Sequence, residues 1–167
     1  MKMKSVTEVC KQFWNYDHVY VYNTQHWVNS PNFKFASKLA SCNIEKRIWA
    51  QKRLGILKEN YMLDEYERIM NCKVIHRNSE NITCMKLQIR GRVDGVVANE
   101  NRIVEHKYRC NRLLGYIPFN EAVQCHLYMH MLNKSSCDLV ESNGNSMIIH
   151  HMKFDDFVWD RVIHTIA

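Results

Sequence analysis

Glycine and proline are scarce in this sequence, five and two among 167 residues, and no low-complexity run is present. A chain so poor in the two residues that interrupt regular structure, yet 46% hydrophobic, has the composition of a folded globular protein rather than a disordered or fibrous one. No apolar stretch reaches the roughly 18 residues that a membrane-crossing helix needs, so no span is expected. Lys2 and Lys4 precede no apolar run long enough for a secretory signal, and an intracellular protein is expected. The seven cysteines, Cys10, Cys42, Cys72, Cys84, Cys110, Cys125 and Cys137, are scattered, odd in number and without a Cys-x-x-Cys pair. That spacing excludes a disulfide scaffold and reads as reduced, mostly buried thiols.

What is present fits one domain. The length suits a single core and is too short for two comfortable ones. A formal charge of +6 points to an anionic partner without identifying it. The stretch of greatest chemical interest runs from Arg90 to Lys107, with Arg-Gly-Arg-Val-Asp-Gly-Val-Val leading to a polar turn and then Ile-Val-Glu-His-Lys. Two β-rich segments, Met85 to Ala98 and Arg102 to Tyr108, flank the turn-type cluster Asn99-Glu100-Asn101, so an antiparallel hairpin is expected. On its second arm the alternation of a strand places Glu105 and Lys107 on one face, Val104 and His106 on the other.

A hairpin that brings Asp94 of the first arm to Glu105 of the second sets two carboxylates together. At about 4 Å they repel by roughly 4 kcal/mol in the effective dielectric near a protein surface, so the pair calls for a cation or a shared proton. Hard oxygen ligands suit Mg²⁺, Mn²⁺ or Ca²⁺, and a lysine beside such an ion can orient or deprotonate an attacking water. A lone Glu-x-Lys is an ordinary surface ion pair, so the case rests on its companions.

Those companions lie along the whole chain. Helix is expected over Val6 to Trp14 and from Phe35 to Leu39, a strand over Val19 to Tyr22 and a turn at Asn29-Ser-Pro-Asn. The aromatics Trp14, Tyr16, Tyr20, Tyr22 and Trp27, interleaved with Lys11, Lys34 and Lys38, either fill core or stack nucleobases. From Ile44 to Met70 apolar residues recur at helical spacing, with a break near Gly55; Gly55, Glu59 and Leu63 share a face, which makes Glu59 a candidate third acid. Strands are expected at Lys73 to His76 and Thr83 to Ile89. A helix is expected from Phe119 to Leu132 after Pro118, with Gln124 and Tyr128 on one face. His126 and His130 share another face, but with no third ligand and no intervening glutamate they read as packed or surface histidines rather than a zinc site. Strands around Asn143-Gly-Asn and an amphipathic helix from Phe154 to Ile166 close the chain.

Glu59 on a helix, Asp94 and Glu105-His106-Lys107 on neighbouring strands, and Gln124-x-x-x-Tyr128 on the next helix together resemble the PD-(D/E)XK nucleases. The similarity is to the branch that unites RecB-type nuclease domains with lambda-type (YqaJ) and viral alkaline exonucleases. Gly55-Ile-Leu-Lys-Glu59 is similar to the Gly-x-x-x-Glu helix of the lambda group, and the resemblance spans residues 35–167. Val93 stands where the family's eponymous proline would be, and His106 stands where an apolar residue is usual, so its ring needs a buried partner.

The resemblance implies an α/β fold with a restriction-endonuclease-like αβββαβ core, a central mixed sheet flanked by helices, in a single domain over 1–167 with 1–34 as an N-terminal extension. It implies hydrolysis of phosphodiester bonds in DNA with two Mg²⁺ or Mn²⁺ ions. Glu59, Asp94, Glu105 and the His106 backbone carbonyl would hold the ions, Lys107 would position water, Gln124 would brace the site, and Tyr128 would support its helix. Ser37, Lys38, Arg47, Arg53, Arg109 and Arg112 are the candidate contacts to nucleic acid. The cysteines lack the clustering of iron–sulfur-bearing relatives, so no such cluster is expected. Two alternatives stay open: an RNA-cleaving endonuclease of the cap-snatching kind, and a nucleic-acid-binding protein without activity on the same fold.

Overall fold

The structure, a computed structural model, describes residues 2–14, 59–79, 81–109, 112–143 and 146–166, together with the backbone of 19–20 and 25–29. Among them the chain runs β1 (Lys4–Ser5), α1 (Val6–Lys11), β2 (Val19–Tyr20), β3 (Gln25–Asn29), a helical stretch α2 (59–70), β4 (Val74–Ile75), β5 (Ile82–Cys84), β6 (Ile89–Gly91), β7 (Gly95–Val97), β8 (Arg102–Tyr108), β9 (Ile117–Pro118), α3 (Phe119–Met131), β10 (Ser136–Ser142), β11 (Ser146–Lys153) and α4 (Asp156–Ile166). The helix expected over Phe35 to Leu39, the turn after Asn29 and the break near Gly55 lie outside the described residues.

The central sheet has six strands in the order β3-β11-β10-β8-β7-β4. It is mixed, as expected: β8 and β10 run parallel, while β7–β8, β10–β11, β3–β11 and β4–β7 are antiparallel. Parallel neighbours need a long crossover, and α3 supplies it between β8 and β10. Side-chain alternation then sorts the two faces. Ile103, Cys137 and Leu139 join a core with α1, α3 and α4, through Val9, Phe13, Val123, Leu127, Val158 and Val162. Val104, Val140, Met147 and Ile149 meet Met62, Leu63 and Tyr66 of α2 on the opposite face. The sheet is thus a middle layer between helices.

Local chemistry explains most boundaries. Ser5 caps α1 by accepting the Glu8 N–H at 3.1 Å. Val6, Val9, Cys10 and Phe13, at helical spacing, are all buried. Asn99, with φ 62°, makes the turn between β7 and β8. Asn143 closes the β10–β11 hairpin, its side chain accepting the Ser146 N–H at 3.0 Å. The segment expected as an N-terminal extension contributes β1, which pairs in parallel with β6, α1, which packs on α3, and β3, which edges the central sheet.

The first arm of the expected hairpin is not one strand. Residues 85–88 turn, with Gln88 at φ 55°, β6 pairs with β5 and β1 in a separate sheet, and only β7 pairs with β8. The break at 92–94 frees Asp94 from the ladder. Gly91 permits a close approach there: a Cβ at this position would stand 2.7 Å from Val6 Cγ2 and 2.8 Å from Tyr128 Cε1. Both neighbours are held rigidly, one β-branched on a helix, the other buried. Gly91→Ala is therefore expected to cost about 1–3 kcal/mol by overpacking, read as a lower urea midpoint at unchanged slope. An unshifted midpoint would contradict the packing.

Candidate active site

The site sits where β7 peels away from β8. Their ladder ends at the Gly95–Val104 pair, so β8 beyond it has backbone donors to spare. Asp94 takes one of them, its Oδ2 accepting the His106 N–H at 2.8 Å, while its own N–H donates to Glu105 Oε1 at 3.1 Å. The two acids are thereby interlocked through the backbone, each fixing the other. Glu105 is 2% exposed. Burial, then the charge of Asp94, drives its carboxyl pKa well above the ordinary range. Asp94 is raised as well, by burial, against the opposing pull of the His106 N–H and the Lys107 charge.

Glu59 arrives on α2. Met62, Leu63 and Tyr66 lie three, four and seven residues further on, so Glu59 shares the helix face that packs on the sheet. Tyr66 anchors that face by donating its hydroxyl to the buried Asp138 at 2.5 Å. Burial and the neighbouring Asp94 charge lift the Glu59 carboxyl to about 7. Asp94 is thus the acid whose charge reaches both of the others, Glu59 and Glu105.

Lys107 completes the group. Its ammonium donates to Gln124 Oε1 at 2.5 Å, the contact that joins β8 to α3. Burial works to lower its pKa, but the carboxylates of Glu105, Glu121 and Asp94 outweigh it and raise it, so the amine is a cation at neutral pH. Tyr128, one turn beyond Gln124, accepts the Arg92 N–H at 3.2 Å and so braces the segment leading to Asp94. The His106 ring finds its partner in Ser142 Oγ at 2.8 Å, and burial holds it neutral by lowering its pKa to about 4.

Other expectations resolve differently. Arg109 does not project as a free phosphate contact: its guanidinium grips both oxygens of Glu121, at 2.7 and 2.8 Å. Arg112 is exposed. Ser37, Lys38, Arg47 and Arg53 lie outside the described residues. His126 uses both ring nitrogens, Nδ1–H donating to Ala122 O at 2.7 Å and Nε2 accepting the Asp155 N–H at 3.0 Å, while His130 stacks on Trp159. That pair is structural. The sequence reading passed over Glu121 and Glu141, although Glu121 stands three residues before Gln124 and so shares its helix face. Glu141, wholly buried on β10, accepts the Leu114 and Gly115 N–H groups at 2.6 and 3.2 Å and pairs with His150 at 3.2 Å.

The donor set fits a hard divalent cation. Carboxylate oxygens converge, and the Asp94–Glu105 pair is one that burial makes costly to ionise without positive charge. Among the described residues no three acidic, histidine or cysteine side chains are grouped closely enough to hold a metal ion by themselves. An ion here would have the Asp94–Glu105 pair as its protein ligands and would need water or substrate to complete its shell.

A pH dependence follows. The Glu59 pKa rises from 4.5 unfolded to about 7 folded, so the native state retains a proton that the unfolded chain releases. Its stabilising contribution is full below pH 4.5 and is lost as pH rises through about 7. Glu59→Gln, which cannot ionise, should therefore melt above wild type in EDTA at about pH 8 and level with it near pH 4. Parallel melting curves across that range would contradict a strained acid.

No protein-family model matches the sequence, and no curated protein is found to match it. Solved structures do. LHK-Exo in complex with dAMP superposes at a TM-score of 0.62 with 12% identity over 98% of this chain and 84% of that one. The alkaline exonuclease LHK-Exo from Laribacter hongkongensis gives 0.56 at 12% identity over 78% of this chain and 82% of that one. A phage-related exonuclease from Haemophilus somnus 129PT gives 0.54 at 13% identity over 70% and 67%. The chain shares with these exonucleases the restriction-endonuclease-like fold, a mixed sheet between helices.

Proposed function

We propose that this protein is a metal-dependent deoxyribonuclease that hydrolyses phosphodiester bonds in DNA and works as an exonuclease in DNA processing. The observation that carries the reading is the interlocked Asp94–Glu105 pair, with Glu59 approaching from α2 and the Lys107 ammonium alongside. A binding protein gains nothing from acids that burial makes so costly to ionise. A hydrolase with a hard cation does.

Asp94, Glu105, Glu59 and the His106 carbonyl are the groups that would hold Mg²⁺ or Mn²⁺, one ion or two. Once bound, such ions supply charge neutralisation at the phosphodiester and a lower pKa for the attacking water. The chain's own residues set the stage. The His106 N–H fixes the Asp94 carboxylate, and Asp94 N–H fixes Glu105. Lys107, held by Gln124 and charged at neutral pH, orients water and offsets phosphate charge rather than removing a proton. Arg112 is available for the DNA backbone, and Ser37, Arg47 and Arg53 remain candidates for it. The fold shared with exonucleases, one of them crystallised with a deoxynucleoside monophosphate, supports DNA as substrate and end-directed cleavage.

The deciding experiment offers end-labelled DNA and RNA of matched sequence to the protein with Mg²⁺, with Mn²⁺ and with excess EDTA. The expected result is stepwise DNA degradation with either metal and none in EDTA. Activity untouched by EDTA, or RNA degraded in preference to DNA, would overturn the reading.

A further inference from the structure

The contact between β8 and α3 is a ladder of two rungs. The strand side offers Lys107 and, two residues on, Arg109, whose N–H still bonds Ser142 O at 2.7 Å as the pairing with β10 continues. The helix side offers Gln124 and, one turn before it, Glu121. Lys107 meets Gln124 at 2.5 Å, and Arg109 meets Glu121 at 2.7 and 2.8 Å. Side chains two apart on a strand, or three apart on a helix, are neighbours, so each cation is within one step of the other's partner. The pairing chosen puts the cation nearest the acids on a neutral amide, and gives the carboxylate to the cation further off.

That choice has an electrostatic consequence. A lysine paired with a carboxylate is neutralised, whereas a lysine on an amide keeps its charge for other anions. Glu121 is only partly exposed, its side chain 12% accessible, so it needs a cation. A fork of two parallel N–H donors satisfies both of its oxygens, which an ammonium cannot do. Glu141, which Arg109 also approaches at 3.7 Å, is already provided for by Leu114, Gly115 and His150. The rung that depends on Arg109 is therefore Glu121.

We infer that Arg109 is a positioning residue: by occupying both oxygens of Glu121 it keeps that carboxylate away from Lys107, and so holds the ammonium on Gln124 with its charge directed toward Asp94 and Glu105. This rests on reading Lys107 as the working cation of a nuclease. Loss of the arginine lets the rungs swap, and Glu121 captures Lys107.

The test uses Arg109→Met, Arg109→Met with Glu121→Gln, and Arg109→Lys. In metal-free crystals of Arg109→Met, the Lys107 ammonium should have left Gln124 for hydrogen-bond distance of Glu121, and the double variant should restore the Gln124 contact. With Mn²⁺ and DNA, Arg109→Met should lower kcat by about 10- to 100-fold, the scale of a displaced catalytic group, with KM within about threefold. The double variant should recover most of that loss, a rescue that mere destabilisation would not give. Should Arg109→Met fail to fold, Arg109→Lys, with a cation but no fork, carries the comparison and is expected to show a smaller loss, again relieved by Glu121→Gln. Lys107 remaining on Gln124 without Arg109, or a double variant as impaired as the single one, would overturn the inference. Absence of hydrolysis in wild type would instead remove the nuclease reading, and the crystal comparison would still decide whether the rungs exchange.

Discussion

Replacing Glu105 with glutamine is expected to abolish DNA hydrolysis and, at the same time, to make the metal-free protein melt higher. Both effects have one origin. Glu105 is almost wholly buried, and its carboxyl is pushed far up by that burial and by Asp94. Ionising it in the native state is costly, so removing the charge relieves strain. Glutamine keeps an oxygen to accept the Asp94 N–H, so the fork between β7 and β8 stays closed. The gain should be on the order of 1 kcal/mol, the usual scale when a strained functional group is replaced, or about 2–4 °C in Tm for a chain of this size. The rate should fall by on the order of 10³ or more, because several kcal/mol of charge stabilisation at the phosphodiester go with the lost ligand. An ordinary Glu-x-Lys ion pair predicts the reverse pattern, a lower Tm and little change in rate. Melting curves in EDTA and single-turnover rates in Mn²⁺ separate the two.

Lys107→Met should also disable hydrolysis, with the opposite effect on stability. The ammonium is the cation set among Glu105, Asp94 and Glu121, and its pKa is raised because they outweigh the cost of burying it. A group so raised contributes its full stability below its unfolded pKa of 10.5, hence throughout the neutral range. Methionine fills the volume but leaves the acids facing one another and Gln124 Oε1 without its donor. A loss of about 1–3 kcal/mol is expected, with a rate about 10² to 10⁴ below wild type. Added Mn²⁺ should restore much of the stability and little of the rate. A variant equally active, or one stabilised in EDTA, would show that the amine is not the neighbour of those acids.

Much of this was readable from residue order alone, and the reasons are physical. The Asn99 turn, the alternation through Glu105-His106-Lys107 and the Gln124–Tyr128 spacing are local signals, and β8 and α3 formed where they indicated, while of the first arm only its end, β7, pairs with β8. His106 was marked by polarity at an inward position, and Ser142 is the partner it required. The break at 92–94 was not legible, because β6 leaves the hairpin to pair with β1 from the far end of the chain, a long-range choice that no local pattern encodes. For the same reason α1 read as part of an extension, though its apolar face completes the core behind the site. Arg109 read as a surface cation because its basicity is local, whereas Glu121, which claims it, is placed by the crossover helix.

The central claim is that Asp94 and Glu105 close around a divalent cation, and a crystal soaked in Mn²⁺ tests it most directly through anomalous scattering. An anomalous peak between the two carboxylates at a separation of about 2.2 Å from each, as expected for manganese bound to oxygen, and missing from the Glu105→Gln variant, is the predicted result. A site without a peak in saturating Mn²⁺, or a peak unaffected by that substitution, would contradict the account.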